Sequence, residues 1–247
     1  MNHILASFLV AASLAAAADF ERPYQTGQGW RPLLTGRDFS GWQVRDGKPN
    51  EWITAAGVTV DPANPKALAA AKGPGLEIAN SLAGKGNDIY TTEKFGDVEV
   101  YVEWMIPKGS NSGVYLHGLY EVQVFDSYGV PHPDESHAGG IYHQWINDKP
   151  VGGEAPRVNA SRPAGEWQYF HIWFRAPRFD PSGKKVEDAK FIKVIYNGQV
   201  VHENAAIAGP TRAHMEIPEA PVNPIMLQGD HGPVAFRNIY VRSLHLK

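Results

Sequence analysis

Two strands set back to back between Gly109 and Asp126 constrain this chain more than any other stretch. Gly109-Ser-Asn-Ser-Gly-Val-Tyr-Leu-His117 and Tyr120-Glu-Val-Gln-Val-Phe-Asp126 are joined by a tight turn at Gly118. In the second, Val122 and Val124 alternate with Glu121 and Gln123, the period-two pattern of a strand with one apolar and one polar face. A solvent-edge hairpin would fill its polar face with Lys, Thr and Glu. This one carries a carboxylate, an amide, a tyrosine (Tyr115) and a histidine (His117), with Tyr115 and His117 expected to share a face. Alternation alone establishes a half-buried strand; the choice of polar groups suits a sugar-binding cleft.

The rest of the chain speaks the same language. Strands are expected over 88–92, 96–106, 167–174, 190–196 and 234–242, the first two as a pair. In the second of these, Val98, Val100, Val102 and Trp104 face one way and Glu99, Tyr101 and Glu103 the other. Asn197-Gly198 between β-rich runs predicts a hairpin, because a type I′ turn needs positive φ at both central positions. Outside the N-terminus no long apolar run keeps a helical period, although residues 67–71 can form a turn or two of helix. Segment 175–189 reads as a surface excursion, and 127–138 and 146–165 as long loops of the kind that rim functional sites. With 25 glycines and 19 prolines among 247 residues, turn formers are plentiful. No linker, repeat or composition break is visible, so residues 19–247 are expected to be one domain. About a dozen mostly antiparallel strands must bury their apolar faces on one another, which gives two packed sheets. The expected fold is all-β, a jelly-roll sandwich with a concave ligand face.

Residues 4–18 form an apolar, alanine-rich run ending in small residues before Asp19. It is short for a membrane span and predicts a signal peptide cleaved near Ala18, though the region before it holds His3 and no Lys or Arg. The expectation is an exported protein, periplasmic or extracellular, whose mature chain is not inserted in a membrane. The absence of cysteine is compatible with that address. A net charge of −3 argues against a nucleic-acid or anionic-membrane surface; the polar strand face around Glu121 makes a small carbohydrate the expected partner. Asn159-Ala-Ser161 is a formal glycosylation sequon that carries little weight.

Several segments in order resemble the 3-keto-disaccharide hydrolase family, whose domain is similar to concanavalin A-like lectins and glucanases. They are Leu33-Leu-Thr-Gly-Arg-Asp-Phe-Ser-Gly-Trp42, Asn111-Ser-Gly-Val-Tyr115, Tyr120-Glu-Val-Gln-Val-Phe-Asp126 and Gly140-Ile-Tyr142. Asn159-Ala-Ser161 with Gly165-Glu-Trp-Gln168, Tyr196-Asn-Gly198, Leu227-Gln-Gly-Asp-His-Gly232 and Phe236-Arg-Asn-Ile239 complete the series. The resemblance implies an enzyme acting on sugars already oxidised at C3. A 3-keto group acidifies the C2 proton, so a base removes it and the C1 substituent leaves by elimination; water then adds to the enone. Such a site needs a base at C2, a group to hold the enolate and an acid for the departing oxygen.

Glu121 is the first candidate for that base or for a metal ligand, or else a carboxylate paired with an arginine at a sheet edge. Gln123 shares its face and suits orientation of sugar hydroxyls. Asp126 is a second catalytic candidate, or caps a turn into Ser127-Tyr128-Gly129. His231 and Asp230, between Gly229 and Gly232, read as a turned strand end that exposes both side chains, or as a structural turn. His143 is a further acid–base candidate, and His117 an acid, base, ligand or plain hydrogen-bonding histidine. His132 and His137, in a loop with Asp134 and Glu135, offer a conceivable metal rim without rigid spacing. Asn111, Tyr115, Tyr142 and Gln228 are candidate substrate-binding residues, with Trp145 for sugar stacking. Arg237 is expected either to hold an enolate oxygen or to pair with Glu121 or Glu103. A divalent cation among His117, Glu121, Asp126, His143 and His231 can act as Lewis acid, an arginine or histidinium being the alternative. Two rivals stand beside the elimination: a non-catalytic sugar-binding module, and an ordinary glycosidase using Glu103 and Glu121, which needs carboxylates roughly 5–10 Å apart. The chain lacks the Glu-x-Asp-x-x-Glu strand of glucanases on this fold.

Overall fold

The computed structural model describes residues 20–35, 38–71, 73–80, 82, 84 and 86–246, so the expected signal peptide lies outside the described residues. Helix among them is limited to two 3-10 turns, Pro23–Gln25 and Arg45–Gly47. The larger sheet has eight strands. Its order is Gln199–Ile207, Ala189–Tyr196, Gln168–Arg175, Val98–Met105, Val234–Ser243, Glu77–Asn80 and Trp52–Ala55, with Arg31–Pro32 added on Val234–Ser243. The smaller sheet runs Tyr120–Phe125, Asn111–Leu116, Met226–Leu227, Ile89–Thr91 and Trp42–Val44. Every pairing in both is antiparallel.

One apolar cluster joins the two sheets into a sandwich. Val100, Val102, Trp104, Phe170 and Ile172 of the large sheet share it with Val114, Leu116, Val122 and Val124 of the small one. The valine parity of residues 120–125 is therefore as the sequence predicts, with Glu121 and Gln123 turned away from this core. The Asn197-Gly198 turn forms with both φ values positive, 47° and 83°.

Two expectations are corrected. Residues 67–71 belong to a strand, Asn64–Ala71, paired with Gly57–Asp61, because partner hydrogen bonds outweigh alanine's helical preference. Ile89–Thr91 and Val98–Met105 lie in opposite sheets and do not pair. The face of Val98–Met105 that carries Glu99, Tyr101 and Glu103 is buried as well. Residues 20–30 lie over it, with Tyr24 packed on Tyr101 at 5.1 Å between ring centroids. Glu103 is gripped by Arg22 at 2.8 Å and Arg237 at 2.7 Å; Glu99 takes His171 at 2.7 Å and Arg242 at 2.8 Å. Burial alone would raise the Glu103 pKa, but the hydrogen bonds from Arg22 and Arg237 hold it below the ordinary value.

The turn after Asn111–Leu116 decides the fate of His117. Both His117 and Gly118 have positive φ (58° and 65°), and Leu116 pairs with Tyr120. The reversal sends the imidazole away from Tyr115's face and into the interior, 5.1 Å from the Phe174 ring, with Nε2 3.3 Å from the Gly96 carbonyl. Burial pushes its pKa down to about 4, against carbonyl contacts from Gly96 and Phe95. The native imidazole thus stays neutral where the unfolded one gains a proton. Stability is lost as pH falls from 6.5 toward 4, on the order of 1.4 kcal/mol per pH unit. His117→Asn, which tolerates positive φ, is expected to lower stability at pH 7 yet flatten this acid slope; urea unfolding at pH 7 and pH 5 reads the difference. An unchanged slope would remove His117 as its source.

Candidate active site

The outward face of the small sheet carries the polar residues that the valine parity excludes from the core. Glu121 stands directly opposite Tyr115, and Tyr115 opposite Met226. One step along, Gln123 faces Gly113, whose carbonyl accepts the Gln228 N–H at 3.0 Å. Above these strands lies a cleft of about 190 Å³. Of the residues expected from the sequence, Asn111, Tyr115, Glu121, Gln123, Tyr142, Gln228 and His231 line it, together with Arg212 and Ala213.

Glu121 sits at its floor, 2% exposed. The Tyr115 hydroxyl donates to Oε2 at 2.8 Å and also lies 3.1 Å from the Arg212 carbonyl; Gln228 Nε2 donates to that hydroxyl at 3.4 Å. Burial pushes the Glu121 pKa up to about 8; the Tyr115 hydrogen bond opposes this and the Asp88 and Asp230 charges add to it. Burial, then the Glu121 charge, holds the Tyr115 phenol well above its usual value, so it remains a donor. Space for the carboxyl comes from Gly113: a Cβ there would fall 2.2 Å from Glu121 Oε1. The amide oxygens of Gln123 and Asn111 are buried without a hydrogen-bond partner, and both residues line the cleft. Orphaned acceptors of this kind suit the hydroxyl protons of a polyol.

His231, also in the cleft lining, is paired through Nδ1 with Asp230, which lines an adjoining depression. Asp88 accepts the Gly229 N–H at 2.8 Å and an Arg45 N–H at 3.1 Å, which fixes the start of the turn that presents Asp230 and His231. The Arg212 wall is a segment without strand periodicity. Thr211 Oγ1 accepts the Glu121 N–H at 3.2 Å and donates to the Leu119 carbonyl at 3.0 Å; the Arg212 N–H reaches the His143 carbonyl at 2.9 Å. Ala213 is held at a φ of 63°, uncommon for a residue with a Cβ. Arg212, Ala213 and Asp88 escape sequence reasoning, because their roles come from contacts across strands far apart in the chain.

Four expected site residues lie elsewhere. The Asp126 carboxylate accepts the Gly109 N–H at 2.8 Å, back across the strand pair and not into the expected turn at 127–129. Arg237 pairs with Glu103 and Glu77 under Trp167 on the large sheet, away from the cleft. His117 is interior, as above. His143 is packed on Tyr142 with Nδ1 3.3 Å from Glu135, behind the cleft wall. Trp145 is a neighbour of the cleft and does not line it. The proposed metal ligands are thereby dispersed: among the described residues no group of three or more His, Cys, Asp or Glu side chains comes together to hold an ion. His137 bonds Asp134 within its own loop. The donor set does not fit the expected cation, and no step is routed through one. Glu103 is paired with Arg22 and Arg237 on the large sheet and does not line the cleft that holds Glu121, so the two do not form the pair that the ordinary-glycosidase rival named.

A proton-holding carboxyl below a cleft of unpaired amides, on the open face of a β-sandwich, is the equipment of a carbohydrate-acting protein. Residues 29–242 match the family described as the 3-keto-alpha-glucoside-1,2-lyase-like domain, and the chain belongs to that family. A presumed glycosyl hydrolase from Parabacteroides distasonis ATCC 8503 is 31% identical, with a TM-score of 0.62 over 88% of this chain and 84% of that one. A second from the same organism shares the fold at 17% identity, with a TM-score of 0.57 over 88% of this chain and 95% of its own. A 3-keto-disaccharide hydrolase of Bacteroides thetaiotaomicron is 24% identical over 116 residues, 46% of this chain and 36% of the relative's length.

Proposed function

We propose that this protein is an exported enzyme that cleaves 3-keto-glycosides, 3-keto-disaccharides among them, by C2 proton abstraction, elimination and hydration. The observation that carries the reading is Glu121, a buried carboxyl whose pKa of about 8 makes it a far stronger base than a solvated one. In this reading its carboxylate takes the C2 proton of a ring seated in the cleft. The C2–H electron pair moves into the C2–C3 bond, and the C3 carbonyl becomes an enolate. His231, held by Asp230, lines the cleft and is placed to meet the developing negative charge. The enolate then re-forms the ketone, a C1–C2 double bond forms and the C1–O bond breaks. The protonated Glu121 returns its proton to the departing oxygen, so no second carboxyl is needed. Water added across the double bond completes a net hydrolysis. Gln123 and Asn111 accept from ring hydroxyls. The apolar run at residues 4–18 supports export, and fractionation of the native host tests it.

The direct test is release of the aglycone from a 3-keto-glucoside, with the unoxidised glucoside as control. Cleavage confined to the keto form is expected. No release from any 3-keto sugar, with or without added divalent metal, would defeat the proposal; sugar binding without turnover would instead favour the lectin-like module.

A further inference from the structure

The cleft has two unlike neighbours, and Ala213 borders both. Tyr120–Phe125 is the edge strand; beyond it Ile141 bridges Val122, and the hairpin Gln144–Ile146 with Lys149–Val151 follows. On that side a depression of about 380 Å³ is walled by Trp145, Ile146 and Pro210 and shares Arg212 and Ala213 with the cleft. Trp145 is 43% exposed and Ile146 45%. Arg212 covers one face of the indole, its guanidinium carbon 3.9 Å from the ring centroid, and so fixes the ring without hiding it. The second depression is charged: Arg45, Asp46, Lys48, Asp88 and Asp230 line it with Ala213, and Arg45 donates to the Ala213 and His214 carbonyls at 3.0 and 2.8 Å. Its carboxylates are engaged, Asp88 by Arg45 at 3.1 Å and Asp230 by His231.

The reacting ring imposes its own geometry. C1 and C3 are the two neighbours of C2, so with Glu121 at C2 the leaving group and the ketone leave the ring in different directions and meet different parts of the wall. Exposed indole and isoleucine surface next to a sugar-sized cleft suits a flat, C–H-rich ring, whereas a polarised ketone suits hydrogen-bond donors. We propose that the leaving group packs on Trp145, Ile146 and Pro210, beside the cleft that holds the reacting ring. The proposal rests on the elimination reading and adds where the ring of the leaving group, a second pyranose or an aryl group, is recognised. Trp145 is then a specificity-determining residue.

The test compares a 3-keto-disaccharide and a 3-keto-aryl glucoside with the 3-keto methyl glucoside. Trp145→Ala is expected to lower the ratio of kcat/KM between ring-bearing and methyl substrates about tenfold, through KM, with partial rescue by Trp145→Phe. A fall confined to the disaccharide or to the aryl compound would support the platform and identify the natural leaving group. Ratios unchanged for both overturn it. Calorimetric titration of the same compounds into Glu121→Gln protein, with and without Trp145→Ala, separates this from the chemistry. If the wild type turns over nothing but the ring-bearing ligands lose their affinity advantage with Trp145, the platform stands and the elimination falls. Equal affinities for ring-bearing and methyl ligands, or no binding of any 3-keto compound, overturn the platform.

Discussion

Glu121→Gln is expected to abolish turnover of 3-keto-glycosides, by about a thousandfold, and at the same time to make the protein more stable above neutral pH. The first effect follows from removing the base. The second follows from the environment that makes it one. The Glu121 pKa is pushed up from 4.5 to about 8, chiefly by burial. Below pH 4.5 both the folded and the unfolded carboxyl are protonated and the group is neutral in its effect. Between about 4.5 and 8 the unfolded chain releases the proton while the folded one keeps it, so stability falls as pH rises, on the order of 1.4 kcal/mol per pH unit. Glutamine keeps the Tyr115 hydrogen bond without the penalty. Thermal unfolding at pH 5 and pH 8 should therefore show the variant gaining on the wild type at the higher pH. The wild-type kcat/KM should rise with pH to a plateau above about 8, the range in which the carboxylate predominates. A variant that is inactive and uniformly destabilised at both pH values would contradict this account of the carboxyl.

Gly113→Ala tests how tightly that base is placed. Gly113 has an ordinary strand conformation and is required for space alone: the new Cβ would approach Glu121 Oε1 to 2.2 Å and Tyr115 Cε2 to 2.9 Å. The far end of a side chain can move aside, so the fold should survive with a loss of about 1–3 kcal/mol. The carboxyl would move with it. Misplacement by about an ångström is expected to cost about a hundredfold in kcat, with KM changed little. Full activity in Gly113→Ala would show that the carboxyl's position is not what the reaction uses.

Local periodicity and the ordered motifs made much of this legible in advance. The Val122/Val124 parity fixed which way Glu121 and Gln123 point, and Asn197-Gly198 named its own turn. Gln228, Asn111 and Tyr142 were found because the resemblance located their motifs on one face. Two of the failures share a cause, side-chain direction at strand ends, which periodicity does not carry; the others come from sheet membership and contacts distant in the chain. His117 is one residue past its strand and is reversed by positive φ. Asp126 follows the last residue of the Tyr120–Phe125 strand and turns back to the Gly109 N–H. Arg237 keeps its strand parity, but on the large sheet, where buried carboxylates await it. Arg212 sits in an irregular segment fixed by Thr211 and by the Leu119 and His143 carbonyls, contacts that no local pattern encodes.

The central claim is that glycoside cleavage here begins with the C2 proton and Glu121. A 3-keto-glucoside carrying deuterium at C2, cleaved by the purified enzyme in ordinary water, tests it most directly through the isotope content of the released sugar. The account predicts that the deuterium is lost to solvent in step with cleavage, and that Glu121→Gln suppresses both together. Release of the aglycone with deuterium retained at C2 would contradict it.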